Sequence, residues 1–452
     1  MNINDIAKIV KEKNIKFLFA QYVNMYGVAN AKLVPAEHLE DMVTSGAGFA
    51  GFAAVGFGVG PEAPDMIAIP DLDTFTILPW KKDTARFACN VYAENTEGGR
   101  DPSPYCSRTI LQRVTAKARE KGYIFKIAVE PEFFLVKRTH DGLDIEPWDE
   151  WDTLTKPCYD LKGLTRPMPF LGTLISDANE MGWDVLAVDH EDANGQYELN
   201  FQYDDCVAIC DRYTFLKYRV VTLAQQEGMI ATFMPKPFGD RTGNGAHFHM
   251  SLWDAKTDKN LFLDENDPQG KGLSQLAYHF TAGLLKHAKA YIALSAPSVN
   301  SYKRLISGGA MGGATWAPVY ISYGGNNRTQ MIRIPGPGRI EDRTVDSSCN
   351  PYLAAAAILA SGLDGIHKKL DPGPRNDTNM YQWTPQELKN AGIELLPASL
   401  KEAMQELAED GVIMDALGRD FCNYYINFKV QEWSDYHNTV SPWELDRYLT
   451  LY

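Results

Sequence analysis

Three short segments of the chain repeat one arrangement: Glu130-Pro131-Glu132, His247-Phe248-His249 and Glu341-Asp342-Arg343 each set two ionisable side chains at i and i+2. In an extended strand such residues project from the same face. Between the first two segments lie Asp189-His190-Glu191-Asp192 and then Asn194-Gly195-Gln196-Tyr197-Glu198. Carboxylates pooled on one sheet face repel one another unless cations neutralise them, and hard divalent ions take oxygen ligands with an occasional imidazole. Any one pair alone reads as a solvated strand face. However, Phe133-Phe134-Leu135 follows the first pair and Met250-Ser251-Leu252-Trp253 the second. Both flanks read as buried strand, so the charges are expected to face a cavity. Pro131 inside a strand predicts an edge or a bulge.

A positive counterpart lies further on. Residues 303–343 hold Lys303, Arg304, Arg328, Arg333, Arg339 and Arg343 against Glu341 and Asp342, a local excess of positive charge in a chain whose net charge is -14. The planar fork of arginine suits phosphate and carboxylate oxygens. Beside Mg²⁺, this composition suits polyphosphate binding and phosphoryl transfer. One apparent signal fails its context. Gly46-Ala47-Gly48-Phe49-Ala50-Gly51 matches G-x-G-x-x-G, but it follows a predicted helix rather than a strand, and no helix opens behind it. No Walker A sequence is present either, so ATP would need another scaffold.

The elements that must position these residues are legible in the hydrophobic pattern. Ile3, Ile6, Ala7 and Val10 follow helical spacing with lysine and glutamate between them, so the N-terminus reads as an amphipathic helix rather than a secretory signal. Strands are predicted over 15–23, 29–34, 66–69, 75–78 and 86–92, with a helix starting at Pro35 and running to 43. The stretch 46–60 holds six glycines, is shorter than the ~20 residues of a membrane helix, and reads as a flexible surface loop. Residues 98–104, rich in glycine and proline, mark a boundary between a domain over 1–100 and a second over 101–452. In the second, strands are predicted over 125–136, 184–188, 198–203, 246–252 and 329–334, and helices over 108–121, 211–226, 273–294 and 352–369. The fold class is α+β with a mostly antiparallel sheet. The acidic balance excludes nucleic-acid and anionic-membrane partners. Seven cysteines without a C-x-x-C pair fit a reducing, cytoplasmic setting, with Cys206 and Cys210 as packing residues on one helix face.

Read in order, the motifs resemble the glutamine synthetase family over essentially the whole chain. Glu130-Pro131-Glu132-Phe133-Phe134-Leu135 is similar to its first metal strand. Residues 231–237 with Gly243-Asn244-Gly245-Ala246-His247-Phe248-His249-Met250-Ser251 look like its ATP and glutamate signature. Asn300-Ser301-Tyr302-Lys303-Arg304, Asn327-Arg328, Ile332-Arg333-Ile334-Pro335 and Asn350-Pro351-Tyr352-Leu353 complete the set. The resemblance implies a β-grasp N-terminal domain, a catalytic domain with a curved sheet, and a homo-oligomer. That oligomer would be a dodecamer of two hexameric rings, with active sites between neighbours. It further implies two or more Mg²⁺ (or Mn²⁺) ions per site and ATP as co-substrate. Glu132, Glu191 and Glu198 would hold one ion, and Glu130, His247 and Glu341 the other. Gly243, His247, Arg304 and Arg343 would hold glutamate. His249, Ser251, Arg328, Arg333 and Arg339 would meet the nucleotide, with Arg304, Arg328 and Arg343 serving catalysis.

The chain departs from the family pattern at two places. Common bacterial members carry a Phe-Asp-Gly-Ser-Ser turn whose aspartate binds ammonium, and here the stretch is Phe49-Ala50-Gly51-Phe52-Ala53. Their second ammonium-site acid precedes Ala-Pro-Val, where this chain has Trp316. An amine pocket built from Ala50 and Trp316 favours methylamine as the partner of glutamate, through a γ-glutamyl phosphate intermediate. The alternative is a glutamine synthetase that uses ammonia. Asn379-Met380-Tyr381 is similar to a loop nucleotidylated in some members, but Gln382-Trp383 replaces the usual flank and no modification is expected.

Overall fold

The computed structural model describes residues 1–95, 97–306 and 316–452. Helix Ile3–Glu12 is started by Asn2, whose side chain accepts the Asp5 N–H in a reciprocal capping box. Its Ile6 joins Leu18, Ala20, Phe87 and Val91 in the core of a small domain. There the strands Ala29–Pro35, Phe17–Val23, Lys81–Glu94, Met66–Pro70 and Ala47–Phe49 lie side by side in that order. Phe17–Val23 runs parallel to Lys81–Glu94, the remaining pairs antiparallel.

Two local expectations give way to packing. Pro35 does not open a helix: it ends the Ala29–Pro35 strand in an extended conformation, and a 3₁₀ turn, Ala36–His38, leads into helix Leu39–Thr44. Residues 46–60 are not merely a flexible surface loop, since Ala47–Phe49 pairs with Met66–Ala68 and Phe49 and Phe57 are 6% and 1% exposed. Tyr22 stacks on Phe49 with ring centroids 4.1 Å apart. The aromatic residues, rather than the glycines, decide that segment. The stretch around residue 100 also holds a short strand, Arg100–Pro102, paired with Tyr92–Glu94.

The second sheet has the principal order Val185–His190, Gln196–Phe201, Tyr123–Arg138, Ala246–Asp254, Arg339–Asp342, Ile332–Gly336, Tyr323–Gly324. Every neighbouring pair is antiparallel except the last. Pro131 therefore sits in a central strand, not at an edge. It is tolerated because it stands where that strand changes neighbours. The ladder with Ala246–Asp254 ends at Pro131, and on the other side, among the described residues, no pairing is made between Ile127 and Glu132. Alternation turns Val129, Phe248, Met250, Leu199 and Ile340 toward the helices as core, leaving Glu130, Glu132, His247, His249, Glu198 and Glu341 on the opposite face.

Helices Ser107–Glu120, Cys206–Gln226, Gln275–Ser295 and Pro351–Lys368 back this sheet. Two of them touch backbone to backbone: a Cβ at Gly283 would meet the Ser361 carbonyl at 2.1 Å, and one at Gly365 the His279 carbonyl at 2.1 Å. Asn350 caps Pro351–Lys368 by accepting the Tyr352 N–H, with Pro351 in the first turn. Its amide also donates to the carbonyls of Asn24 and Met25 at 3.2 and 3.3 Å, tying the small domain to the helix start. Among the described residues no helix is long and apolar enough to cross a membrane.

Candidate active site

Strand register assembles the charged face. His247 stands opposite Glu130, Glu198 opposite Glu132, and His249 and Arg333 both opposite Glu341. Five neighbouring strands thus bring these side chains together, and all of them except the fully buried Glu341 line one cavity of about 390 Å³. The ligand atoms of Glu132, Glu191 and Glu198 lie within 4.8 Å of one another, as do those of Glu130, Glu198 and His247, and of Glu130, His249 and Glu341. His247 Nδ1 is 3.7 Å from both Glu130 Oε2 and Glu341 Oε1. All six expected metal-ligating residues meet here. The grouping differs in that His249, expected toward nucleotide, also sits 2.9 Å from Glu130 Oε1 without the geometry of a hydrogen bond.

The electrostatics divide the cavity in two. Burial, then repulsion from Glu191, pushes the Glu132 carboxyl up to about 8, against the Gly245 N–H. Burial followed by Glu130, Glu191 and Glu132 raises Glu198 well above the carboxylate range, and burial raises Glu191. Each of the three has one oxygen anchored: Glu132 Oε2 accepts from Gly245 N–H at 2.7 Å, Glu198 Oε1 from Asn200 at 2.9 Å, and Glu191 Oε2 from the Asp192 N–H at 3.1 Å. The other oxygens share a space dominated by negative charge, which fits hard divalent cations. Glu341 is the opposite case. Burial alone would raise it, but Arg343 first, with His249, His247 and Arg333, holds it down to about 2. Arg333 and Arg343 each donate to it at 2.7 Å. Burial, then Arg343, lowers His247 to about 4, so its ring is neutral at pH 7 and able to ligate.

The remaining expected residues distribute as follows. Gly243, Arg304, Arg328, Arg333, Arg339 and Arg343 line the same cavity. A Cβ at Gly243 would lie 2.3 Å from the Pro235 carbonyl and 3.1 Å from Arg304, so the chain can pass there only as glycine. Buried Arg304 is aimed by bonds to the carbonyls of Arg343 and Thr344 at 3.1 and 3.3 Å. Ser251 lines an adjoining cavity of about 290 Å³, which shares Glu130, His249 and Arg339 with the first. Trp316 lies at the rim, its indole N–H donating to Asp192 at 3.2 Å. Ala50 is not brought to the site: it belongs to the small domain and is absent from the cavity lining within one chain. Asn200 and Tyr159, to which the sequence pattern assigns no role, also line the cavity, as does Asp192 of the acidic run 189–192. Asn200 was findable, two residues after Glu198 on the same strand. Tyr159 lies in a loop without periodicity and left no such signal.

A model of the glutamine synthetase catalytic domain matches residues 104–448, and one of the glutamine synthetase beta-grasp domain matches residues 14–94. The chain is 45% identical to a glutamate–methylamine ligase of Methyloversatilis universalis over 453 aligned positions, covering 100% of both proteins. It is 41% identical to a glutamine synthetase of Rhizobium meliloti over 440 positions, 97% of this chain and 98% of the relative. Among solved structures, one titled as a GmaS/ADP complex superimposes with a TM-score of 0.90 at 42% identity, covering 98% of this chain and 99% of that one. An apo GmaS gives 0.89 at 41% identity, with the same coverage.

Proposed function

The chain belongs to the glutamine synthetase family, and from that premise we propose that it joins methylamine to the γ-carboxylate of glutamate, consuming ATP. The observation that carries this reading is the cavity itself, with a carboxylate wall, an arginine wall facing it, and an indole at the rim. The full-length likeness to a glutamate–methylamine ligase supports the amine. Glu132, Glu191 and Glu198 would hold one divalent ion, Mg²⁺ or Mn²⁺, and Glu130, His247 and Glu341 another, and such ions would supply charge neutralisation for phosphoryl transfer. Arg304, Arg343, Gly243 and His247 hold glutamate, so that its γ-carboxylate points at the nucleotide. His249, Ser251, Arg328, Arg333 and Arg339 hold ATP along the two joined cavities. The γ-carboxylate attacks the terminal phosphorus, and ADP leaves. Neutral methylamine then attacks the acyl carbon of γ-glutamyl phosphate, and phosphate leaves.

Ala50 reaches an active site only if the small domain of one subunit closes the amine end of its neighbour's cavity, as in a ring-shaped homo-oligomer. The dodecamer of two hexamers is the assembly we propose. Exposed Val440, Trp443, Leu445, Leu449 and Leu451 near the C-terminus give it apolar surface to cover. Seven free cysteines suit a reducing cytoplasmic setting. A reaction of ATP, glutamate and methylamine, followed by mass spectrometry, is expected to give one γ-glutamylmethylamide per ADP and phosphate. Absence of the amide sinks the reading. The second reading, a glutamine synthetase using ammonia, is favoured by the 41% identity to the Rhizobium meliloti enzyme, and it predicts glutamine as the better-made product.

A further inference from the structure

Of the six residues expected to ligate metal, Glu191 alone lies outside the strands, in the turn between Val185–His190 and Gln196–Phe201. Repulsion among Glu132, Glu191 and Glu198 works to push it outward. The turn is held from behind by a residue that does not line the cavity. Asp152 lies in the loop between strand Ile145–Pro147 and helix Leu161–Thr165 and is 5% exposed. A buried carboxylate is costly unless its oxygens are matched. They are matched three times, and every partner lies within residues 190–195. Oδ2 accepts from His190 Nε2 at 2.8 Å and from the Gly195 N–H at 2.6 Å, and Oδ1 accepts from Asn194 Nδ2 at 3.0 Å. These donors bracket Glu191.

His190 carries the tie inward. Its Nδ1 lies 2.9 Å from the Glu191 carbonyl. A carbonyl and a carboxylate both accept, so both ring nitrogens donate and the imidazole bridges Asp152 to the Glu191 backbone. The ring is fully buried: the Tyr197 ring packs across it at 5.1 Å, and a Cβ at Gly163 would lie 2.5 Å from it. At the far end of the turn, Gln196 Nε2 donates to Glu132 Oε2 at 3.1 Å. We infer that Asp152 is a positioning residue for the divalent ion of the Glu132–Glu191–Glu198 group. Through His190, Asn194 and Gly195 it holds Glu191 against repulsion, at the spacing from Glu132 and Glu198 that one ion needs. Partners behind a ligand set its orientation, and losing one costs about 10–100-fold in metal affinity. This rests on the metal-dependent ligase reading and adds to it a residue that touches neither ion nor substrate.

The test titrates metal-free protein with Mn²⁺, reading free Mn²⁺ by electron paramagnetic resonance, and measures the urea midpoint alongside. Asp152→Asn is compared with Asp177→Asn, which breaks a different buried ion pair, the bond from Arg219 at 2.7 Å between helices Met168–Glu180 and Cys206–Gln226. Both variants are expected to lower the urea midpoint. Only Asp152→Asn is expected to raise the Kd of an Mn²⁺ site, by about 10–100-fold. A Kd within error of the wild type in Asp152→Asn, or an equal rise in Asp177→Asn, makes Asp152 a residue of the fold alone and overturns the inference. Should Asp152→Asn fail to fold, Asn194→Ala takes its place, since it removes one of the three bonds. A smaller rise in Kd is then expected, and an unchanged Kd overturns the inference. The titration needs no glutamate, ATP or amine. A wild type that binds Mn²⁺ but forms no amide therefore contradicts the ligase reading and is told apart from a failure of Asp152.

Discussion

At the junction of the two sheets Arg108, 3% exposed, donates to both oxygens of Asp211 at 2.9 Å and to Asp71 and Asn90 at 2.8 Å. Tyr352 completes Asp211 at 2.7 Å. Burial works against this guanidinium's charge, yet Asp211 above all raises its pKa well beyond the ordinary value. Charge and hydrogen-bonding capacity are both matched there. The Glu132–Glu191–Glu198 group buries charge too, but with like signs, so burial first, and repulsion from neighbouring carboxylates after it, push its carboxyls upward rather than downward. A balanced buried cluster clamps two domains. An unbalanced one is costly to keep, and such perturbed groups in a cleft mark chemistry.

That contrast can be broken at either end. The largest effect is expected from Glu132→Gln, which keeps an acceptor for the Gly245 N–H but removes charge. Amide formation should fall roughly a thousandfold, the several kcal/mol of charge stabilisation that metal ions supply. Its urea midpoint should equal or exceed the wild type's, and near-normal turnover at saturating Mg²⁺ would remove Glu132 from the metal site. Arg108→Ala should do the reverse. By leaving Asp211 buried and uncompensated it should lose about 3–5 kcal/mol of unfolding free energy, read by denaturation, with the residual folded fraction still active. An unfolding midpoint within error of the wild type would contradict the clamp.

Arg343→Lys tests the arginine wall between the two extremes. Arg343 donates one nitrogen to Glu341 while its Nε has no partner within the protein, a donor left for a ligand. Lysine keeps the charge but not the fork, and turnover should fall about a hundredfold, as when one oriented donor to a developing charge is removed. Retention of most of the rate would reduce Arg343 to a charge alone. The smallest effect is one of pH. Glu132 is raised to about 8 in the folded state, so its stability contribution is complete below the ordinary carboxylate pKa and is lost as pH rises through 8. Metal-free protein should therefore lose Tm between pH 5 and 8. Mg²⁺ at a hundred times its Kd should restore about 2.7 kcal/mol, more at pH 8 than at pH 6. A Tm independent of both would show that the carboxylates are not strained.

Much of the site was legible because strand periodicity is local. The pairs Glu130/Glu132 and His247/His249 needed only the two-residue repeat to share a face. What sequence could not show was register. Only the cross-strand pairing reveals that His249 stands opposite Glu341. Pro131 misled for the same reason, since a central strand that changes partners looks in sequence like an edge. Phe49 and Phe57 ordered a glycine-rich stretch through contacts with Tyr22, which are distant in sequence. Asn350, read as part of a family motif, proved to be a helix cap that also binds the small domain.

The most direct test of the central claim is the ratio of kcat/KM for methylamine to that for ammonia, measured from initial rates at fixed pH with each amine corrected to its neutral fraction. Methylamine is expected to lead by about tenfold, within the ~1–3 kcal/mol that one methyl-sized group can discriminate. A ratio below one would contradict it, leaving a glutamine synthetase whose indole-lined rim serves some other end.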